Sequence, residues 1–168
     1  DRVLPKLTLR GTSTPLATGG IAVSGFANGK IASFNIENGD LLWEQRLSSP
    51  RGGSDISRIV DVDASPVIFG TNLYAAGYNG YAIALDLQNG RFLWRHEASV
   101  LRDPLVDSLK VYLVNTDGEI EALERDTGKV AWKAESLKYR NLTAAADNGD
   151  TIVVGDFEGY LHWLDKTT

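Results

Sequence analysis

Two aspartates are the first candidates for chemistry in this sequence. Asp61 and Asp63 lie two residues apart in the alternating stretch 59–63, so a strand would place both carboxylates on one face. Neighbouring carboxylates repel each other unless a cation lies beside them. Arg10 is a candidate cation, because one guanidinium can form paired, charge-assisted hydrogen bonds with carboxylates. Three interpretations remain open: a protein-binding patch, a structural clamp in which the aspartates also bond backbone amides, and a metal site.

Two leucines precede the arginine and favour the first interpretation. Leu7 and Leu9 point to the same side at period two, so they present apolar surface next to Arg10. An apolar anchor beside paired charges is a typical composition for a protein interface. The candidate partner-binding residues are therefore Leu7, Leu9, Arg10, Asp61 and Asp63.

Other reactive groups are sparse. The chain has no cysteine, which excludes disulfides, thiol catalysis and cysteine zinc sites. We find no nucleophile elbow, phosphate-binding loop, dinucleotide fingerprint or calcium loop, and we interpret His96 and His162 as surface or packing residues. A net charge of −5 argues against nucleic-acid binding. We therefore expect no enzymatic activity, no cofactor and no metal.

A repeat predicts the elements that must position these residues. Two glycines and a tryptophan recur at constant spacing in Gly29/Gly39/Trp43, Gly80/Gly90/Trp94 and Gly118/Gly128/Trp132, and a further copy opens at Gly159. Asn-Gly and Asp-Gly pairs mark hairpin turns, and short apolar segments precede the turns at 14–17, 65–68 and 142–145. Four antiparallel strands per unit predict an all-β propeller of about four blades. The single domain would span 1–168, with blades at 12–47, 63–97, 101–135 and 141–168.

The repeated tryptophans have a structural explanation. Trp43, Trp94 and Trp132 are expected to pack between neighbouring sheets, each indole N–H bonding a backbone carbonyl. Ala84 and Ala122 would admit the rings. Trp163 occupies that small-residue position in the last repeat, which we interpret as a variation in packing.

The connections between blades should emerge on one rim. They are residues 1–13, 47–63, 96–104 and 135–141, of which 47–63 is the longest internal one. Long loops on a regular scaffold are common places for function. Arg10, Asp61 and Asp63 would all lie on this rim.

Two kinds of sequence stretch carry a family resemblance. Residues 84–94 and 122–132 resemble the A-x-D-x-x-T/N-G-x-x-x-W repeat of quinoprotein-type propellers. Residues 7–11, 55–63 and 155–163 resemble the BamB family of outer-membrane assembly lipoproteins. This resemblance implies about half of an eight-bladed ring, serving as a non-enzymatic scaffold of the β-barrel assembly machinery in a Gram-negative periplasm.

The same resemblance implies partners and a location. The five candidate residues would engage the periplasmic POTRA domains of BamA, and nascent outer-membrane proteins are a further candidate partner. The family is held at the periplasmic face of the outer membrane by a lipidated N-terminal cysteine, in a region that this sequence does not contain. Because the sequence opens at Asp1 and has no methionine, we interpret it as a piece of a longer protein.

Two alternative functions stay open. A periplasmic propeller that binds a peptide or a carbohydrate would use the central channel or a sheet edge rather than the rim. A fragment of a dehydrogenase dependent on pyrroloquinoline quinone would resemble the same repeat, but those enzymes call for a calcium site and typically a vicinal cysteine pair. The sequence has neither a calcium loop nor a cysteine.

Overall fold

The computed structural model describes residues 13–26, 29–47 and 64–167, and these ranges contain strands and turns but no helix. Leu7, Leu9, Arg10, Asp61 and Asp63 lie outside the described residues. The placement of these five residues on one rim therefore stays a prediction.

The strands form four antiparallel sheets, each built from strands in chain order. The first sheet contains β1 (Leu16–Thr18), β2 (Ile21–Phe26), β3 (Lys30–Asn35) and β4 (Leu41–Arg46). The second contains β5 (Val67–Phe69), β6 (Asn72–Ala76), β7 (Gly80–Asp86) and β8 (Phe92–Ala98). The third contains β9 (Leu105–Val106), β10 (Lys110–Val114), β11 (Ile120–Glu124) and β12 (Val130–Ala134). The fourth contains, within the described residues, β13 (Ala146–Asn148), β14 (Thr151–Gly155) and β15 (Leu161–Asp165).

This arrangement confirms the predicted all-β fold with one correction in the fourth sheet. Its first strand begins at Ala146, after the apolar segment 142–145 that was expected to supply it. Thr143 instead holds the end of β14, because its amide donates to Gly155 O at 3.0 Å and its hydroxyl accepts from Gly155 N at 3.0 Å. The segment 142–145 is therefore a connection that is fastened to the sheet.

The apolar core lies between consecutive sheets. One buried cluster joins Val23 and Ile31 of the first sheet to Leu73 and Leu85 of the second. A second cluster lies between the second and third sheets, and a third cluster between the third and fourth. The second and third sheets thus bury their two faces against different neighbours, which is the packing of blades in a propeller.

The repeated tryptophans lie at these junctions. The indole N–H donates to the next sheet in all three cases: Trp43 to Leu87 O at 3.0 Å, Trp94 to Arg125 O at 2.7 Å, and Trp132 to Lys166 O at 3.0 Å. Ala84 lies opposite Trp94, and Ala122 lies opposite Trp132, in the strand register. Small side chains at these positions leave room for the rings. These tryptophans connect each sheet to the following one.

Candidate protein-binding face

One edge of the sheets carries the connections between blades and the turns between the second and third strands. We call this edge the rim face and define it by residues 99–104, 135–145, 77–79, 115–119 and 156–160. Backbone hydrogen bonds fasten connections to turns, from Val100 N to Gly77 O at 3.2 Å and from Thr116 N to Ser99 O at 2.9 Å. The two segments of each pair are therefore joined through their backbones.

Consecutive connections are also fastened to each other. The amide of Ser65, which follows the predicted aspartates, donates to Asp103 Oδ1 at 2.6 Å. Arg102 extends to the next connection, where its Nε donates to Leu142 O at 3.2 Å and its Nη2 lies 3.5 Å from Asn141 Oδ1. The described part of the rim face is thus a continuous, hydrogen-bonded surface over three sheets.

A buried carboxylate holds the last turn of the rim face. The side chain of Asp156 is inaccessible to solvent, and its Oδ2 lies 2.9 Å from His162 Nε2 and 2.7 Å from Arg140 Nη1. Its other oxygen accepts from the amides of Glu158 and Tyr160, each at 3.0 Å. The hydrogen bond from His162, together with those from the Tyr160 amide and Arg140, lowers the pKa of Asp156 although burial opposes the shift. Asp156 is therefore an anion that fixes this turn.

A second charged cluster joins the second sheet to the third. Lys133 Nζ binds two carboxylates, Glu119 at 3.0 Å and Glu121. On its other oxygen, Glu121 lies 2.7 Å from His96 Nε2. Lys138 Nζ lies 2.9 Å from Glu119 Oε2. The hydrogen bond from Lys138 is the main cause that lowers the pKa of Glu119 to about 2. These charges pair with one another, so they stabilise the rim face.

Each of the two histidines pairs with a carboxylate, as the histidine of a catalytic triad does. A triad also needs a nucleophilic hydroxyl bonded to the other nitrogen of the imidazole ring. Across residues 13–26, 29–47 and 64–167, no serine or threonine hydroxyl is bonded to His96 or His162. The same residues contain no group of three His, Asp or Glu side chains able to hold a metal ion.

In the part of the chain that the structure describes, no helix is long and apolar enough to span a bilayer.

The rim face exposes three aromatic side chains that the sequence analysis missed, Tyr139, Phe157 and Tyr160. Tyr139 is 82% exposed and adopts a φ of 65°, and Phe157 is 65% exposed. Their backbones are fixed, because Tyr139 N donates to Asp117 O at 2.6 Å and Phe157 N donates to Arg140 O at 3.1 Å. Phe157 lies inside a stretch that resembles the family, but nothing in the sequence indicated that its ring would face solvent. Exposed aromatic rings on a fixed backbone are typical of protein-binding surfaces.

The opposite edge carries a cavity between the third and fourth sheets. Its volume is about 740 Å³, and its lining includes Asp107, Lys110, Tyr112, Asp147 and Lys166. Lys166 Nζ bridges Asp107 at 3.1 Å and Asp147 at 2.7 Å, and the Tyr112 hydroxyl donates to Asp107 at 3.0 Å. These polar groups are mutually paired.

Comparisons with known proteins agree on one family. Residues 1–134 match the family described as outer membrane protein assembly factor BamB. A protein of that name from Kangiella koreensis is 62% identical over 168 residues, which cover all of this chain and 43% of the relative. The chain thus spans less than half the length of this relative.

Solved structures give the same result for the fold. The crystal structure of BamB from Moraxella catarrhalis matches with a TM-score of 0.92 and 31% identity, covering 99% of this chain and 50% of that one. A quinohemoprotein alcohol dehydrogenase from Comamonas testosteroni matches with a TM-score of 0.60 and 19% identity, covering 74% of this chain and 21% of that one. The second likeness concerns the fold alone, because its sequence identity is low.

Proposed function

Since this chain belongs to the family of the outer membrane protein assembly factor BamB, we propose that it is a non-enzymatic scaffold that assists the folding and insertion of outer-membrane proteins. Its partner is the set of periplasmic POTRA domains of BamA, which dock on the rim face. The docking residues are Leu7, Leu9, Arg10, Asp61 and Asp63.

The observation that carries this proposal is the continuous hydrogen bonding of the rim face. The segment that contains Asp61 and Asp63 leads directly into Ser65, whose amide is bonded to Asp103. Arg102 continues the same belt to Asn141 and Leu142. A surface that is already ordered loses little conformational entropy when a partner binds.

The pairing of both histidines with carboxylates supports a binding role. Both imidazoles are held against carboxylates that Lys133 and Arg140 also bind. A general base needs access to a substrate proton, and these groups are instead engaged in structural ion pairs.

We further propose that the full-length protein acts at the periplasmic face of the outer membrane, held by an N-terminal lipid. Nascent outer-membrane proteins are a second class of partner in this proposal. The support for both statements is the family name, which describes assembly of outer-membrane proteins.

The test is a calorimetric titration of the chain into the POTRA domains. Arg10→Ala and the double variant Asp61→Ala/Asp63→Ala should each weaken binding by roughly thirtyfold or more, since each breaks a charged anchor. Arg91→Ala, at the turn between β7 and β8 on the opposite edge, serves as the matched control. Equal affinities for all folded variants would overturn the assignment of these residues. No binding by the unaltered chain would overturn the docking proposal for residues 1–168.

A second candidate function rests on the cavity at the opposite edge. Its volume would accommodate a short peptide or a sugar, which is the alternative of a periplasmic ligand-binding propeller. Lys110→Ala should then abolish ligand binding and leave POTRA binding unchanged. The paired state of Asp107, Asp147 and Lys166 favours the scaffold instead, because no polar group of that trio is left free for a ligand.

A further inference from the structure

The fourth strands of the first three sheets carry a charged residue at one equivalent position, directly after the repeated tryptophan. The strand register defines this position: Glu44 lies opposite Ala32, Arg95 opposite Ile83, and Lys133 opposite Glu121. The three sheets can therefore be compared with one another at the same place.

In the first and third sheets, the third strand neutralises this charge. The Lys30 ammonium donates to Glu44, and Lys133 binds both Glu119 and Glu121. Lys30 and Glu119 hold equivalent positions, since each directly follows a glycine of the repeat. The charge on the fourth strand and its partner on the third strand have opposite signs in both sheets.

The second sheet departs from this pattern at Arg95. Its third strand has Tyr81 in the position that a lysine or a glutamate holds in the other two sheets, and it has Ile83 where the third sheet has a glutamate. In the part of the chain that the structure describes, no carboxylate pairs with Arg95, and this includes Glu97 on the same strand. Arg95 is exposed, so its positive charge faces solvent without a partner from its own sheet.

Two aromatic rings hold the guanidinium of Arg95. Its Cζ lies 3.5 Å from the ring centroid of Phe92 and 6.0 Å from that of Tyr81. Both rings pack against the buried cluster between the first and second sheets, which fixes their positions. A guanidinium that lies over the face of a ring keeps the N–H groups at its edge free to donate to a carboxylate. Because the group is already held, it loses less conformational entropy when it binds.

We propose that Arg95, held on Phe92, binds a carboxylate in an acidic segment of a partner protein. Arginine forms paired, charge-assisted hydrogen bonds with carboxylates, and it is enriched at protein interfaces. The site is open rather than enclosed, since β8 is an edge strand of its sheet and Leu93 beside the arginine is 39% exposed. An open charged site with an apolar neighbour suits a protein segment better than a small free acid. Arg95 lies outside the rim face, so this surface is additional to the proposed docking of POTRA domains.

The test is a titration of the chain with a hexaglutamate peptide that is acetylated and amidated at its ends, followed by nuclear magnetic resonance at about 0.15 M salt. The Arg95 Nε–H signal should shift in a saturable way. Arg95→Gln should raise the dissociation constant about three- to fivefold, the upper range for an exposed charged pair. Phe92→Leu keeps the charge but removes the ring, so it should give a smaller increase. Arg91→Gln is the matched control, since it removes an equal charge four residues away, which salt screens from the site.

The other outcomes would overturn the proposal. Equal increases for Arg95→Gln and Arg91→Gln would mean that the peptide responds to the overall charge and not to this site. An unchanged constant for Phe92→Leu would overturn the role of the ring. Equal binding of a hexaglutamine peptide would exclude carboxylate recognition, and equal saturation by acetate at the same carboxylate concentration would exclude a preference for a protein segment. The titration contains no POTRA domain, so its failure is distinguishable from a failure of the docking proposal.

Discussion

Trp94 of the second sheet lies flat against Gly128 of the third. A Cβ atom at Gly128 would come within 2.6 Å of the indole Cδ2, and the indole N–H donates to Arg125 O, three residues earlier in the same turn. The turn therefore needs glycine for two independent reasons, the positive φ and the contact with the ring. This relation explains why glycine and tryptophan recur together in the sequence.

Replacement of Gly128 separates those two reasons. Gly128→Ala and Gly149→Ala both place a Cβ at a positive φ, of 68° and 70°, but only Gly128 faces a ring. We expect Gly149→Ala to lower the free energy of unfolding by about 1–2 kcal/mol from backbone strain. Gly128→Ala should lower the free energy of unfolding by about 1–3 kcal/mol more than Gly149→Ala does, because the added methyl group overpacks against Trp94. Urea denaturation measures both, and equal losses would contradict the steric part of the argument.

The indole hydrogen bond can be tested with the ring retained. Trp94→Phe removes the N–H donor to Arg125 O and leaves an aromatic side chain on the turn. Loss of a hydrogen bond at this partly buried site should lower the free energy of unfolding by about 0.5–1.5 kcal/mol. Trp163→Phe, at a position that is 59% exposed, should change it by less than about 0.5 kcal/mol. Similar effects at both sites would argue against a stabilising role for the bond.

The fold could be predicted from local signals in the sequence, because each tryptophan contact depends on a glycine turn that recurs at a fixed spacing. Glycine spacing and hairpin turns are properties of neighbouring residues, so the all-β repeat was predicted from Gly80, Gly90 and Trp94 and their counterparts. The prediction of a strand at 142–145 was wrong, because the apolar residues there resemble a strand whereas the Thr143 hydroxyl binds the Gly155 amide. The conformation of this segment therefore depends on a residue twelve positions away in the sequence.

The rim face was less predictable, for a related reason. His96 and His162 were interpreted as surface or packing residues. The pairing of His96 with Glu121 depends on how the second sheet packs on the third, and that of His162 with Asp156 depends on the conformation of the turn before β15. The exposure of Tyr139 depends on a backbone bond to Asp117 in another turn. The five predicted docking residues lie outside the described ranges, so that part of the hypothesis remains to be tested by binding.

The Glu119 cluster predicts how stability depends on pH. The pKa of Glu119 falls from 4.5 to about 2 on folding, first through the hydrogen bond from Lys138. A carboxyl whose pKa is lowered in the folded state stabilises that state above its unfolded pKa, and the stabilisation is lost as the pH falls. The urea midpoint of the unaltered chain should therefore decline between pH 4.5 and about 2.

The variant Glu119→Gln should have a lower midpoint at pH 7 and a shallower decline below pH 4.5. Glu37→Gln, in the exposed turn between β3 and β4, is the control. Its urea midpoint should vary with pH in the same way as that of the unaltered chain. Parallel profiles for Glu119→Gln and the unaltered chain would show that the cluster does not contribute through ionisation.

The exposed aromatic residues predict the extent of the docking surface. Tyr139 and Phe157 lie on the rim face, the edge proposed to bind the POTRA domains, and hydrogen bonds from their amides hold both backbones in place. If the partner covers this part of the rim, Tyr139→Ala and Phe157→Ala should each raise the dissociation constant about tenfold, in the range of a moderate interface contact. Leu109→Ala, an exposed apolar residue at the opposite edge, controls for a general loss of apolar surface.

Loss of affinity in Arg10→Ala but not in the aromatic variants would confine docking to the segments around Arg10 and Asp61. Loss of affinity in all three rim variants, with the affinity of Leu109→Ala unchanged, would extend the docking surface across the third and fourth sheets. Tyr139 lies in the connection between these two sheets, and Phe157 lies in a turn of the fourth.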